Sequence, residues 1–302
     1  MVCNGVGKPN ATLRSVMQKC AGDSDKQRSL MDSLKDFDSF NWGYDPEHFN
    51  APEGSYATNP MGVTRILETR AMNMALHNLG LRVVYDVVYP HMAAAGVKTA
   101  NSTFDKIVPG YYFRQNPVSG VVETGTGAGP DTATEHVMVG KFVADSLVQW
   151  ASAYKVDSFR FDQSGYMPKS VLLAAQAAVK AVDPDNYFYA EAWTAGGGSS
   201  GDRIAERASQ IPLAGTGIGT FNDRLRNPVR EMALVNGGSL DRVRAGLAGN
   251  LAEFRLLAKS GKTVKANTLG AYNLDPQEAI NYVEKHDNET LWDWMHKPNA
   301  LP

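Results

Sequence analysis

The chain has 302 residues, 43% hydrophobic and 21% charged, with a formal net charge of -2. That is an ordinary soluble balance with apolar surface enough for a sizeable core, and it gives no electrostatic case for nucleic acid or an anionic membrane as a partner. No run reaches the roughly 18 apolar residues of a membrane span. The opening MVCNGVGKPNATLR lacks the apolar centre of a signal peptide, and the compartment stays open, with a secreted or periplasmic parent protein included. Cys3 and Cys20 both fall near the start; a bridge closing a short loop and two separate thiols fit that spacing equally.

Residues 1–40 are polar, with a weak helical pattern through Leu30 and Leu34, and read as a segment apart from 41–302. NWGYDPEHFNAPEGSYATNP, 41–60, is rich in aromatics, Gly and Pro and reads as a long ordered loop. Val63, Ile66, Leu67, Met74 and Ala75 fall near helical spacing and predict a helix over 62–79. The unbroken apolar centre of LRVVYDVVYPH, 81–91, predicts a strand buried on both faces. A helix over 136–154, a strand over 156–161 and a helix over 169–182, stopped by Asp183-Pro184, follow. NYFYAEAW (186–193) and GTGIGTF (215–221) read as strands, 224–257 as helical, and AINYVEKHDN (279–288) as the last strand. Strands alternating with helices imply parallel βαβ units, in an α/β barrel or an open doubly wound sheet.

The strand VDSFRF carries Arg160 in an apolar run, with Asp162 two residues on, so both point to one side. Polar groups gather in the same way at the ends of four strands: His91, Arg160 with Asp162, Glu191, and His286 with Asp287. A barrel uses that end of its strands for catalysis, whereas an open sheet needs it only at the switch point, so a (β/α)8 TIM-type barrel is expected. Asp162, Glu191 and Asp287 would then face one another, and cleaving a glycosidic bond with retention needs an ionised nucleophile and a protonated acid. Arg160 beside Asp162 is expected to keep it ionised, and the apolar neighbours of Glu191 to raise that carboxyl for proton donation. Trp42, Tyr44 and Trp193 offer flat faces to sugar rings. Neither GTGAGP nor GTGIG has the full spacing of a nucleotide loop, and the chain holds no HExxH and no spaced cysteine cluster for zinc.

DVVYPH (86–91), FRFD (159–162), AEAW (190–193) and KHDN (285–288) resemble the four signature regions of the α-amylase superfamily, glycoside hydrolase family 13. NWGYDP (41–46), PEGSYATNP (52–60), DKIVPGYY (105–112) and GTGIGTFNDRLR (215–226) resemble its pullulanase and limit dextrinase branch, and the likeness runs from about Phe40 to Asp293. The resemblance implies a retaining, double-displacement hydrolase of α-1,6 branch linkages in pullulan, amylopectin or limit dextrins. By motif, Asp162 would be the nucleophile, Glu191 the acid and base, and Asp287 the transition-state stabiliser. Arg160, His91 and His286 would bond the sugar, with Tyr44 and Trp193 against its rings. It implies no required cofactor or metal; calcium sites are common in the superfamily, and the sequence locates none. It also implies that the five strands are the third to seventh of an incomplete barrel. The sequence departs from the family at Pro90, Gln163, Ser164, Met167, Ala190 and Ala192. Two other readings stay open: an inactive truncated homologue that at most binds α-glucan, and an α-1,4-acting enzyme of the same superfamily.

Overall fold

Aromatic and β-branched runs form the strands of this protein, and Ala- and Leu-rich runs form the helices between them. The computed structural model describes residues 11–21, 24–34, 42–194, 203–233 and 238–295. Cys3 and the boundary expected between residues 40 and 41 lie outside these. Helices α1 (Ala11–Gln18) and α2 (Lys26–Leu34) come first, the second over the weak pattern at Leu30 and Leu34. Then follow α3 (Thr64–Asn78), β1 (Val84–Val87), α4 (Phe104–Ile107), α5 (Val137–Ala153) and β2 (Ser158–Phe161). Next are α6 (Lys169–Lys180), β3 (Tyr187–Ala190), α7 (Gln210–Leu213) and β4 (Gly219–Phe221). The chain continues through α8 (Asp223–Ala233), α9 (Leu240–Leu247), β5 (Arg255–Leu257), β6 (Thr263–Lys265), β7 (Ala279–Ile280) and α10 (Leu291–Met295).

All five expected strands form one parallel sheet, in the order β1-β2-β3-β4-β7. Neighbours in the sheet are neighbours in the chain order of those strands, as short connections through helices require. Strand β2 is buried along its whole length. One of its faces carries Phe159 and Phe161, whose rings meet Phe188 of β3 at 5.7 and 4.9 Å. Leu147 of α5 and Leu172 and Val179 of α6 close this core, each fully buried, and each such side chain stabilises by about 2 kcal/mol.

The other face collects the charges. Asp86 stands opposite Arg160, and Arg160 opposite Tyr189. Residues two apart share a face, which puts Asp162 on the side of Arg160 and Glu191 on the side of Tyr189. The Asp162 amide donates to Val87 O at 2.9 Å and the Glu191 amide to Phe161 O at 2.8 Å. Both carboxyls therefore stand on the last rung of the ladder, where the strands leave the core.

Three expectations need correction. Strand β1 is not buried on both faces: Val84 is 44% exposed and Asp86 is exposed. It is the edge of the sheet, with no strand beyond it among the described residues. Helix α3 docks through little of its apolar stripe: Ile66 packs against the core, but Val63, Leu67 and Met74 are exposed. Instead buried Asn73 donates to Tyr154 O at 2.8 Å, and His77 pairs with Asp157 at 2.8 Å. Finally, the stretch read as helical to 257 ends in the antiparallel hairpin β5–β6, turned at Gly261 with φ +78°. A positive φ of that size suits glycine and stops a helix.

Candidate active site

At the carboxyl ends of the strands lies a cavity of about 400 Å³, lined by Trp42, Tyr44, His91, Asp162, Gln163, Glu191, Trp193, His286 and Asp287 among others. Seven of the eight predicted site residues are on this wall. Arg160, the eighth, stands behind it, 3% exposed. Its Nη1 reaches Asp86 Oδ1 at 2.8 Å and Asp162 Oδ1 at 2.6 Å, and its Nη2 lies 3.5 Å from Glu191 Oε2. One guanidinium thus brackets the two carboxyls expected to carry the chemistry.

Glu191 is ringed by donors. Oε1 accepts from Lys285 Nζ at 2.7 Å and from Trp193 Nε1 at 3.0 Å, and Oε2 accepts from the Gln163 amide at 3.3 Å. Lys285 Nζ also donates to Asp287 Oδ2 at 2.6 Å. Gln163 holds its amide there with a left-handed backbone, φ 46°, a conformation uncommon for a residue with a side chain. The Tyr44 hydroxyl donates to Asp86 Oδ2 at 2.6 Å and lies 3.4 Å from His286 Nε2. His91 Nε2 donates to the Tyr44 carbonyl at 2.7 Å, which fixes the loop that carries Tyr44. Trp42 packs edge-on to the His286 ring at 5.9 Å.

These contacts reverse the protonation expected from sequence. Burial pushes Asp162 up to about 7; Arg160 opposes the rise and the charge of Glu191 adds to it. Burial would raise Glu191 as well, but the Lys285 ammonium and Arg160 outweigh it and hold that carboxyl at about 2. The apolar sequence neighbours of Glu191 suggested a raised acid because they do not reveal Lys285, 94 residues away.

Sequence reasoning missed Asp86 and Lys285 as site residues. Both lie inside quoted motifs: Asp86 opens DVVYPH and faces Arg160 across the β1–β2 ladder, and Lys285 opens KHDN, two residues before Asp287. The family departures are accommodated: Ala190, Ala192 and Met167 are fully buried in the core, and the Ser164 hydroxyl donates to Ala208 O at 2.8 Å. Among the described residues, no group of three or more His, Cys, Asp or Glu side chains is arranged to hold a metal ion. Among them too, no helix is long and apolar enough to cross a membrane.

No family model matches the chain. The pullulanase of Klebsiella pneumoniae is 42% identical over 330 residues, an alignment covering 97% of this chain and 30% of that protein. The crystal structure of PulA from Klebsiella oxytoca matches with a TM-score of 0.81 at 43% identity, over 94% of this chain and 30% of that one. A maltotriose complex of PulA from Klebsiella pneumoniae matches with a TM-score of 0.81 at 42% identity, over 94% of this chain and 34% of that one. The chain spans about a third of the length of the curated relatives it matches. Sheet, carboxylate cluster and relatives together make it a homologue of the starch-debranching glycoside hydrolases. More particularly, it corresponds to a segment of the pullulanases, as the resemblance of its motifs implied.

Proposed function

We propose that this chain carries the catalytic centre of a retaining hydrolase of α-1,6-glucosidic branch linkages, on a partial (β/α)8 barrel of which its five parallel strands are the third to seventh. The observation that carries the reading is the Arg160 guanidinium touching both Asp162 and Glu191 at the wall of an aromatic-edged cavity. The relative crystallised with maltotriose supports an α-glucan as the ligand.

In this reading Asp162 attacks the anomeric carbon and Glu191 gives a proton to the departing oxygen. Glu191 then takes a proton from the water that releases the sugar, and Asp287 faces the positive charge that develops on the ring. The chemistry draws on carboxyls and needs no cofactor. With Asp162 pushed up by burial and Glu191 held down by Lys285 and Arg160, the pair in this reading holds one proton at mildly acidic pH, on Asp162. One proton is the number the reaction needs. In this reading the proton passes from Asp162 to Glu191 before attack, which leaves Asp162 bare and Glu191 loaded.

Release of maltotriose from pullulan, lost in Asp162→Asn, is the expected result. Pullulan left intact by both this chain and its longer parent protein would overturn the reading. A second reading, glucan binding without turnover, is favoured by the four donors crowded on Glu191. Cyclodextrin binding measured beside pullulan hydrolysis separates the two.

A further inference from the structure

Two cations link the four carboxylates of this site into one chain. Arg160 joins Asp86, Asp162 and Glu191, and Lys285 joins Glu191 and Asp287. Glu191 is where the two halves meet. The Lys285 side chain is 10% exposed, and its ammonium also lies 5.0 Å over the Phe221 ring of β4. An ammonium with two carboxylates and an aromatic face is held in place, and its contact with Glu191, whose side chain is 7% exposed, is little screened by solvent. We propose that Lys285 is a positioning residue of this site: its ammonium clamps Glu191 to Asp287, and it must leave Glu191 before that carboxyl can donate a proton.

The inference deepens the hydrolase reading and rests on it for its functional meaning, but the clamp itself can be tested without turnover. The other donors to Glu191 are anchored: Trp193 by its ring, Gln163 by its backbone, Arg160 by Asp86 and Asp162. Lys285 ends a flexible four-carbon stem and already holds an alternative partner in Asp287. It is therefore the donor free to withdraw. The charged and titratable groups facing Glu191 are Arg160 and Asp162 from β2, and Tyr282 and Lys285 from the segment after β7. Of these, Lys285 lowers the proton affinity of Glu191 most strongly, ahead of Arg160.

The test is carboxyl-carbon NMR titration of Glu191 in the full chain, as wild type, Lys285→Met and Lys285→Arg. Lys285→Met should raise the proton affinity of Glu191 at least tenfold, and Lys285→Arg should leave it within about threefold of wild type. A folded Lys285→Met protein, by its amide spectrum, with an unmoved Glu191 inflection overturns the clamp. A lysine that only fills space would move neither inflection. If Lys285→Met does not fold, the wild type decides: Lys285 ammonium protons shielded from water exchange support the clamp, and protons exchanging like those of a surface lysine overturn it. Maltotriose is then added as the probe. Release of Lys285 from Glu191 in the complex is expected, and a clamp that stays closed in the complex overturns the withdrawal. Failure of maltotriose to bind counts against the hydrolase reading and leaves the titration result standing.

Discussion

Substituting Asp162 by Asn should make the protein more stable at neutral pH while removing the carboxylate proposed as the nucleophile. Asp162 is 9% exposed, and its carboxyl is pushed from an ordinary 3.8 up to about 7. The folded state then binds that proton more tightly than the unfolded chain does. Stability is unaffected below 3.8, falls as pH rises, and the loss is complete above 7. At about 1.36 kcal/mol per pH unit the loss is about 4 kcal/mol in all, of which somewhat more than half, about 2–3 kcal/mol, falls between pH 5 and pH 8. Glu191, held at about 2, works in the opposite sense: its contribution is present above 4.5 and lost as pH falls toward 2, so it is flat across that window. Asp162→Asn abolishes the ionisation, and Arg160 keeps Asp86 and Glu191 as partners. Urea unfolding followed by circular dichroism, at intervals from pH 5 to pH 8, should show the variant gaining on wild type by about 2–3 kcal/mol. A difference constant to within about 0.5 kcal/mol over that range would refute a raised Asp162.

Phe188→Ala, which removes the ring between Phe159 and Phe161, should cost about 3–5 kcal/mol of unfolding free energy; a loss under about 1 kcal/mol would show that the aromatic core does not hold β2 to β3. A methyl group at Gly219 would stand 2.0 Å from the Tyr187 hydroxyl, which donates to Gln277 O at 2.5 Å. Gly219→Ala should therefore cost about 1–3 kcal/mol, and unchanged melting would contradict the close approach of β3 and β4. Tyr44 packs 5.6 Å from the His286 ring at the cavity wall. Tyr44→Ala should weaken maltotriose about tenfold by calorimetry, equal to about 1.4 kcal/mol, while Tyr44→Phe keeps most of the affinity. Equal losses in the two variants would assign the contribution to the hydroxyl and not to the ring.

The five strands were legible in the sequence because each is an apolar, aromatic or β-branched run closed by turn residues. So was the site: Arg160, Asp162 and Glu191 are charges in runs that otherwise belong in a core, and such residues need partners wherever they are buried. The hairpin β5–β6 was not legible, because three-residue strands leave too little alternation to separate from a helix. The outward face of α3 was hidden as well. Periodicity reports an apolar stripe but not how much of it is covered, and this helix docks through Ile66 together with Asn73 and His77.

Which carboxyl of the pair holds the proton was decided by tertiary structure. Local sequence around Glu191 is apolar and predicts a raised acid, while local sequence around Asp162 contains Arg160 and predicts a lowered one. Folding brings Lys285 to Glu191 from 94 residues away, and buries Asp162 deeply enough to outweigh its arginine. Side-chain periodicity needs only neighbours in the chain, and so the sequence by itself determined strands, their polar ends and which carboxyls gather at the cavity. Proton affinity depends on burial and on charges a few ångströms away, and those distances exist only once the sheet has assembled.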